Sequence, residues 1–213
     1  MLAKNFEKFT IGALQENIKA VELCIGFDKS TDNESDFMFK DGCLGIPAFI
    51  LLSSIIDAIG SNFKDSSIII EGKPKIIKNN GGHFFILNHE KLFNLGLSNK
   101  IIEAFYKQYR SPLTHNNTLT PNTIIDLGNE NSLIFETNNA NELTRVNLIP
   151  LLRVVKEAVK KFIEMPREEL DVKGKLKKEL DCKGNKSKTI FPSDKMPNLS
   201  AVTETIISKF SLE

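Results

Sequence analysis

The sequence predicts a mainly α protein: a bundle of helices with one small β insertion. Apolar residues recur at helical spacing in several long segments, whereas residues 122–137 contain short runs rich in β-branched residues. The chain has 213 residues, of which 41% are hydrophobic and 26% are charged. These values are typical of one medium-sized globular domain, or of one domain with an appendage.

The first helix is predicted over about Ala3 to Ile25. One apolar face recurs there at helical spacing and is formed by Leu14, Ile18, Val21 and Ile25. The polar, turn-rich segment from Phe27 to Phe37 is predicted to be a loop.

The second helix is the apolar run within Leu44 to Gly60, and Pro47 is tolerated in its first turn. This run is apolar on nearly all sides, so it is predicted to be the central and most buried helix. It is short for a bilayer span and it contains Asp57, so a core helix is favoured over a membrane helix.

The next segment, Ser61 to Gly82, indicates a connection with short helical or extended pieces. Ser98 is a predicted N-cap for a third helix over about Asn99 to Arg110. Pro112 lacks a backbone donor and disfavours helical geometry at the residue before it, so the helix should end or kink there.

Two β-like runs follow, Asn122–Gly128 and Ser132–Thr137, separated by Asn-Glu-Asn, and they predict a hairpin. Asn147 can cap a fourth helix from Leu148 to about Ile163. The predicted buried stripe of that helix consists of Leu151, Val155, Ala158, Val159 and Phe162.

Composition shifts at Met165, which divides the chain into a helical core (1–164) and a C-terminal helical extension (165–213). A last short helix is predicted over about Ser200 to Phe210. The lysines between Lys173 and Lys188 are interleaved with acidic residues, which favours a solvated mixed-charge surface over an RNA-binding one.

The bulk numbers exclude several classes of function. The formal net charge of +1 gives no global electrostatic case for nucleic acid. The three cysteines (Cys24, Cys43 and Cys182) form neither a disulfide framework nor a zinc motif. The opening residues lack the apolar stretch of a signal peptide, so a cytoplasmic location is expected. Phosphate-loop glycine motifs are absent, and His83 and His89 lack metal-ligand spacing, so we expect no cofactor and no metal.

One short stretch, YRSPLTHNN (Tyr109 to Asn117), concentrates polar and cationic groups around Pro112. It has two interpretations. In the first, Arg110 interacts with the dipole of a helix terminus while His115 and Asn116 are ordinary turn residues. In the second, the stretch is a small cationic site for phosphate chemistry.

The second interpretation follows from the needs of RNA cleavage by the 2′-hydroxyl. That reaction requires a base, an acid and positive charge near phosphorus. Histidine transfers protons near neutral pH, and arginine binds phosphate oxygens. A break in the helix at Pro112 would let the side chains of Arg110 and His115 converge. Tyr106 and Tyr109 could stack on bases, or they could be core aromatics.

The segment Arg110–His115, R-S-P-L-T-H, resembles the R-x4-H motif of the HEPN superfamily (higher eukaryotes and prokaryotes nucleotide-binding). The surroundings are similar too. An apolar helix ending in I-I-D-A-I-G lies upstream, and the helix I-I-E-A-F-Y-K-Q-Y-R leads into the motif. The resemblance covers roughly residues 3–163.

This resemblance implies an up-and-down helical bundle that dimerises. In ribonuclease members, two motifs face each other and cut RNA without metal, which makes Arg110 and His115 catalytic residues. Ser111 and Asn116 would contact the substrate. Position 117 is asparagine, where some toxins of the family carry a tyrosine modified by a nucleotidyltransferase, so that form of antitoxin control is not predicted. Other members are non-catalytic modules that bind a nucleotide or a partner protein, and that interpretation remains open. A plain helical scaffold is the third.

Asp57 belongs with this site because it is the only charged residue in the most buried predicted helix. An unpaired buried carboxylate is costly, so we expect it to lie in solvent or to find a partner. Arg110 is the predicted partner, and Asp57 would either orient it for the substrate or neutralise it.

Overall fold

The protein is mainly α in the residues that its computed structural model describes, 2–32, 37–38, 40–78 and 80–165. Both the predicted helix over 200–210 and the lysines between 173 and 188 lie outside these residues. The described part contains the α-helices α1 (Leu2–Gly26), α2 (Gly45–Ser61), α3 (Asn99–Ala104), α4 (Ser111–Asn116) and α5 (Leu148–Glu164).

Helix α2 is the centre of the core, as predicted. It contacts α1, α5 and a 3₁₀ segment, Asn80–Asn88. Its large fully buried side chains are Phe49, Leu52, Ile55, Ile56 and Ile59. Among the helices of the described residues, none combines the length and the apolar character that crossing a bilayer requires.

The connection after α2 begins with a β-hairpin, β1 (Ser67–Ile70) paired antiparallel with β2 (Lys73–Ile76). Its two turn residues, Glu71 and Gly72, have positive φ angles of 51° and 73°. Two positive φ angles suit the right-handed twist of a hairpin. The sequence did not predict this turn, because the first position holds glutamate rather than asparagine or aspartate.

The third helix does not end at Pro112, where the sequence predicted an end or a kink. A π-helical segment, Phe105–Arg110, joins α3 directly to α4, and the helix continues to Asn116. The Ser111 amide donates to the carbonyl of Tyr106, five residues back. Pro112 has no amide hydrogen to give to the Gln108 carbonyl, which instead accepts from the Thr120 hydroxyl at 3.2 Å. The wider turn thus accommodates the proline.

The predicted hairpin between residues 122 and 137 is also wrong. Strands β3 (Ile124–Asp126) and β4 (Phe135–Thr137) both pair with β5 (Leu143–Asn147) and not with each other. β3 runs parallel to β5, and β4 runs antiparallel. The Arg145 guanidinium lies 3.1 Å from Asp126 on β3 and 3.8 Å from Glu136 on β4, so its charge links both outer strands.

Helix α5 confirms the prediction, and its stripe of Leu151, Val155, Ala158, Val159 and Phe162 is buried. It begins at the residue after β5 ends. Asn147 occupies the N-cap position, but its side chain does not cap the helix. Its side-chain amide donates instead to the Leu133 carbonyl at 2.6 Å and to Glu136 at 2.7 Å. It therefore links the end of β5 to β4 and to the loop that precedes β4.

Two glycines give a matched test of this packing. A Cβ at Gly60 would overlap the His83 carbonyl, whereas a Cβ at Gly12 in α1 would meet nothing within 4 Å. Gly60→Ala should lower the free energy of unfolding by about 1–3 kcal/mol, because backbone must move. Gly12→Ala should raise it by about 0.5–1 kcal/mol through helix propensity. Urea unfolding measures both, and equal effects would contradict the close contact.

Candidate functional site

Asp57 lies near the end of α2 and joins two other side chains. Its Oδ2 accepts a hydrogen bond from Arg110 Nη2 at 3.0 Å, and its Oδ1 lies 2.6 Å from His83 Nδ1. The side chains of Asp57, Arg110 and His83 are 27%, 19% and 15% exposed. The predicted pairing of Asp57 with Arg110 is confirmed. The carboxylate is therefore neither stranded in the core nor free in water.

His83 is the member of this cluster that sequence reasoning missed. A carboxylate only accepts hydrogen bonds, so the short contact assigns a proton to Nδ1 and leaves Nε2 as the second ring nitrogen. Among the described residues, Asp57 is the hydrogen-bond partner of the His83 ring. The one available signal was that a carboxylate has two oxygens, so a single cation leaves room for a second donor.

Close packing fixes the position of this cluster. His83 belongs to the 3₁₀ segment, whose backbone lies against Gly60 of α2. The same segment packs against Tyr106, because a Cβ at Gly81 would lie 2.8 Å from the Tyr106 ring. The Arg110 guanidinium lies 5.7 Å from the centre of that ring, within the range of a cation–π contact. Tyr106 is half-buried and supports the arginine.

Tyr109 does not fit the predicted role in stacking on bases. Its side chain is fully buried, against Phe49 among others, so its ring is a core aromatic. The hydroxyl is buried without a hydrogen bond of good geometry among the described residues. Burial raises the pKa of Tyr109 to about 12, and the Ile124 amide and the Arg145 charge only partly offset that rise.

The side chains of Arg110 and His115 do not converge, although a break in the helix at Pro112 was expected to bring them together. The chain is α-helical from Ser111 to Asn116, so the two side chains project about 140° apart and are separated by about 7.5 Å along the axis. His115 and Asn116 are exposed in the last turn, and Ser111 is half-buried. The helix then ends at Asn117, whose φ of 53° is left-handed.

The described residues contain no cluster of three or more histidine, cysteine, aspartate or glutamate side chains that could hold a metal ion. Around the motif helix, the candidate site contains a guanidinium, two imidazoles and a carboxylate. Arg110 can hold an anion, His83 and His115 can move protons, and Asp57 can orient two of these groups.

Comparisons with models of protein families, with curated proteins and with solved structures found no match.

The raised pKa of Tyr109 makes the free energy of unfolding depend on pH in the alkaline range. Its pKa is 10.0 as an ordinary tyrosine and about 12 in the folded protein, so the folded state binds the proton more tightly. This contribution is complete below the unfolded pKa and is lost as pH rises through that interval. The loss should be on the order of 2 kcal/mol, and Tyr109→Phe should abolish it.

Urea unfolding across that interval tests this expectation. Tyr106→Phe removes a phenol but leaves Tyr109 in place, so this variant should retain the alkaline loss. A Tyr109→Phe protein with the same pH dependence as wild type would contradict the assignment.

The Asp57–Arg110 pair should contribute more stability than an exposed ion pair within the helix that carries Arg110. A double-mutant cycle of Asp57→Ala and Arg110→Ala should give a coupling of about 1–2 kcal/mol, because the hydrogen bond is partly shielded from water. The control cycle uses Glu103 and Lys107, which are 2.9 Å apart and well exposed, and should give about 0.3–0.5 kcal/mol. Equal couplings would show that Asp57 does not fix the arginine.

Proposed function

We propose that this protein is a HEPN-like, metal-independent endoribonuclease in which Arg110 binds the scissile phosphate and His115 transfers a proton. The resemblance of the R-x4-H motif supplies the reaction class. The observation that carries the proposal is that Arg110 is held in one orientation at a partly exposed position by Asp57 and Tyr106.

A fixed arginine suits phosphate chemistry because its orientation is established before the substrate binds. Asp57 binds one terminal nitrogen, Nη2, so the other guanidinium nitrogens can donate to phosphate oxygens. The carboxylate charge opposes phosphate binding, but its two oxygens are already engaged by Arg110 and His83. The charges of Asp57 and Arg110 cancel, so phosphate binding depends on the guanidinium N–H groups that Asp57 leaves free.

The helical separation of Arg110 and His115 makes a second copy part of the proposal. Groups that project about 140° apart on one helix cannot easily hold one phosphodiester between them. Two copies related by a two-fold axis would bring the arginine of one motif towards the histidine of the other. The active form proposed here is therefore a homodimer with composite sites.

A non-catalytic HEPN-like module is the second candidate, and a specific observation favours it. Arg110 is already paired with a carboxylate, and His115 has no hydrogen-bond partner among the described residues to orient it. Catalytic bases are usually oriented by a third group. In this alternative, the same cluster binds a nucleotide or a partner protein without cleavage.

The test is RNA cleavage in the presence of EDTA by wild type, Arg110→Ala and His115→Ala. General acid–base catalysis and charge stabilisation contribute about 10²- to 10⁴-fold each, so both variants should lose at least about 100-fold. Products should carry 2′,3′-cyclic phosphate and 5′-hydroxyl ends. Thr118→Ala, an exposed change just beyond the helix, is the matched control.

Mixed dimers separate sites within one chain from sites shared between copies. A heterodimer of Arg110→Ala with His115→Ala, purified through two different tags, contains one intact composite site and should regain measurable activity. Both homodimers should remain inactive. A wild type that is folded and dimeric but inert towards RNA would overturn the enzyme and favour the binding module.

A further inference from the structure

We infer that His83 is a third catalytic residue of this site, the general base that takes the proton of the ribose 2′-hydroxyl. This inference rests on the proposed function, but His83 lies outside the R-x4-H motif and belongs to a different structural segment. The observation that supports it is the contact between His83 and Asp57, whose carboxylate also binds Arg110.

The chemistry needs two proton-transfer groups, and each motif supplies one histidine. Attack of the 2′-oxygen on phosphorus requires a base, and departure of the 5′-oxygen requires an acid. His83 is a second imidazole on the same side of the molecule as the phosphate-binding arginine, because one carboxylate bonds to both side chains.

The geometry of His83 is that of an oriented base. The contact of 2.6 Å between Nδ1 and Asp57 Oδ1 fixes the ring and its tautomer, and the opposite nitrogen, Nε2, is left to accept a proton. The carboxylate also stabilises the imidazolium that forms. His115, by contrast, lies exposed in the last turn of α4 without such an orienting group among the described residues.

Close backbone packing holds His83 next to Asp57. Gly60 on α2 lets the His83 carbonyl approach the helix that carries Asp57, and Gly81 lets the same 3₁₀ segment approach Tyr106. The side chain of His83 retains 15% exposure, so the ring is supported on one side and reachable on another. A partly covered, hydrogen-bonded imidazole beside a guanidinium suits proton transfer at a phosphate.

The proposed cleavage transfers two protons and exchanges one bond at phosphorus for another. The 2′-oxygen forms a bond to phosphorus while its proton passes to Nε2 of His83. The bond from phosphorus to the 5′-oxygen breaks, and the leaving oxygen takes a proton from the imidazolium of His115 in the second copy. Arg110 offsets the charge that develops on the phosphorane. The products are a 2′,3′-cyclic phosphate and a 5′-hydroxyl, and solvent resets both histidines.

The experiment compares two substitutions that separate catalysis from support. In His83→Asn, the side-chain amide nitrogen takes the place of Nδ1 and can still donate to Asp57, but it cannot act as a base. Its cleavage rate should fall by at least about 100-fold while the unfolding midpoint stays close to that of wild type. In His83→Ala, added imidazole should restore part of the lost rate, which a purely structural role would not allow.

The outcomes distinguish this inference from the function on which it rests. A wild type that cleaves RNA with a His83→Asn variant within about 3-fold of it would overturn the role of His83 and leave the ribonuclease standing. An inert wild type would overturn both.

If the variants do not fold, the wild-type protein gives the answer through modification with diethyl pyrocarbonate, mapped by mass spectrometry. Loss of cleavage should follow modification of His83 and be slowed by a bound mononucleotide. Because His115 is the proposed acid, its modification should stop cleavage as well. Protein that is modified at His83, unmodified at His115 and still fully active would refute the assignment.

Discussion

The carboxylate of Asp57 is the constraint on which the candidate site depends. It lies on α2, the helix with the most apolar surroundings, so it needs partners that compensate its removal from water. Arg110 and His83 meet that need, and they come from two other segments of the chain. One oxygen orients a cation and the other orients an acid–base group. The interactions that compensate the burial of the carboxylate therefore also bring the groups of the candidate site together.

Proline usually ends or kinks a helix, but the helix that contains Pro112 continues to Asn116. Pro112 removes a donor, yet the chain widens into a π turn, and Thr120 supplies the missing hydrogen bond to Gln108. π turns within α-helices are frequent at functional sites. Here the widened turn ends at Arg110, so the same local change that accommodates the proline sets the direction of the guanidinium relative to α2.

The sequence predicted the parts of the fold that depend on local periodicity. Helices α1, α2 and α5 were found because their apolar residues recur at helical spacing, and the Asp57–Arg110 pair followed from the cost of an unpaired carboxylate. The three-stranded sheet was missed because β3 and β5 pair in parallel across residues distant in sequence, a relation that turn residues do not encode. His83 was missed for a related reason. Its place opposite Asp57 depends on how a 3₁₀ segment packs against Gly60.

The direct passage of β5 into α5 has a mechanical consequence. With no loop between them, a displacement of α5 along its axis must move β5 as well. β5 is hydrogen-bonded to β3, whose first residue, Ile124, is close to the buried hydroxyl of Tyr109. Arg110 is the next residue in the chain. The outer helix α5 and the arginine of the motif are therefore joined by a short series of contacts that runs through β5, β3 and the Tyr109 hydroxyl.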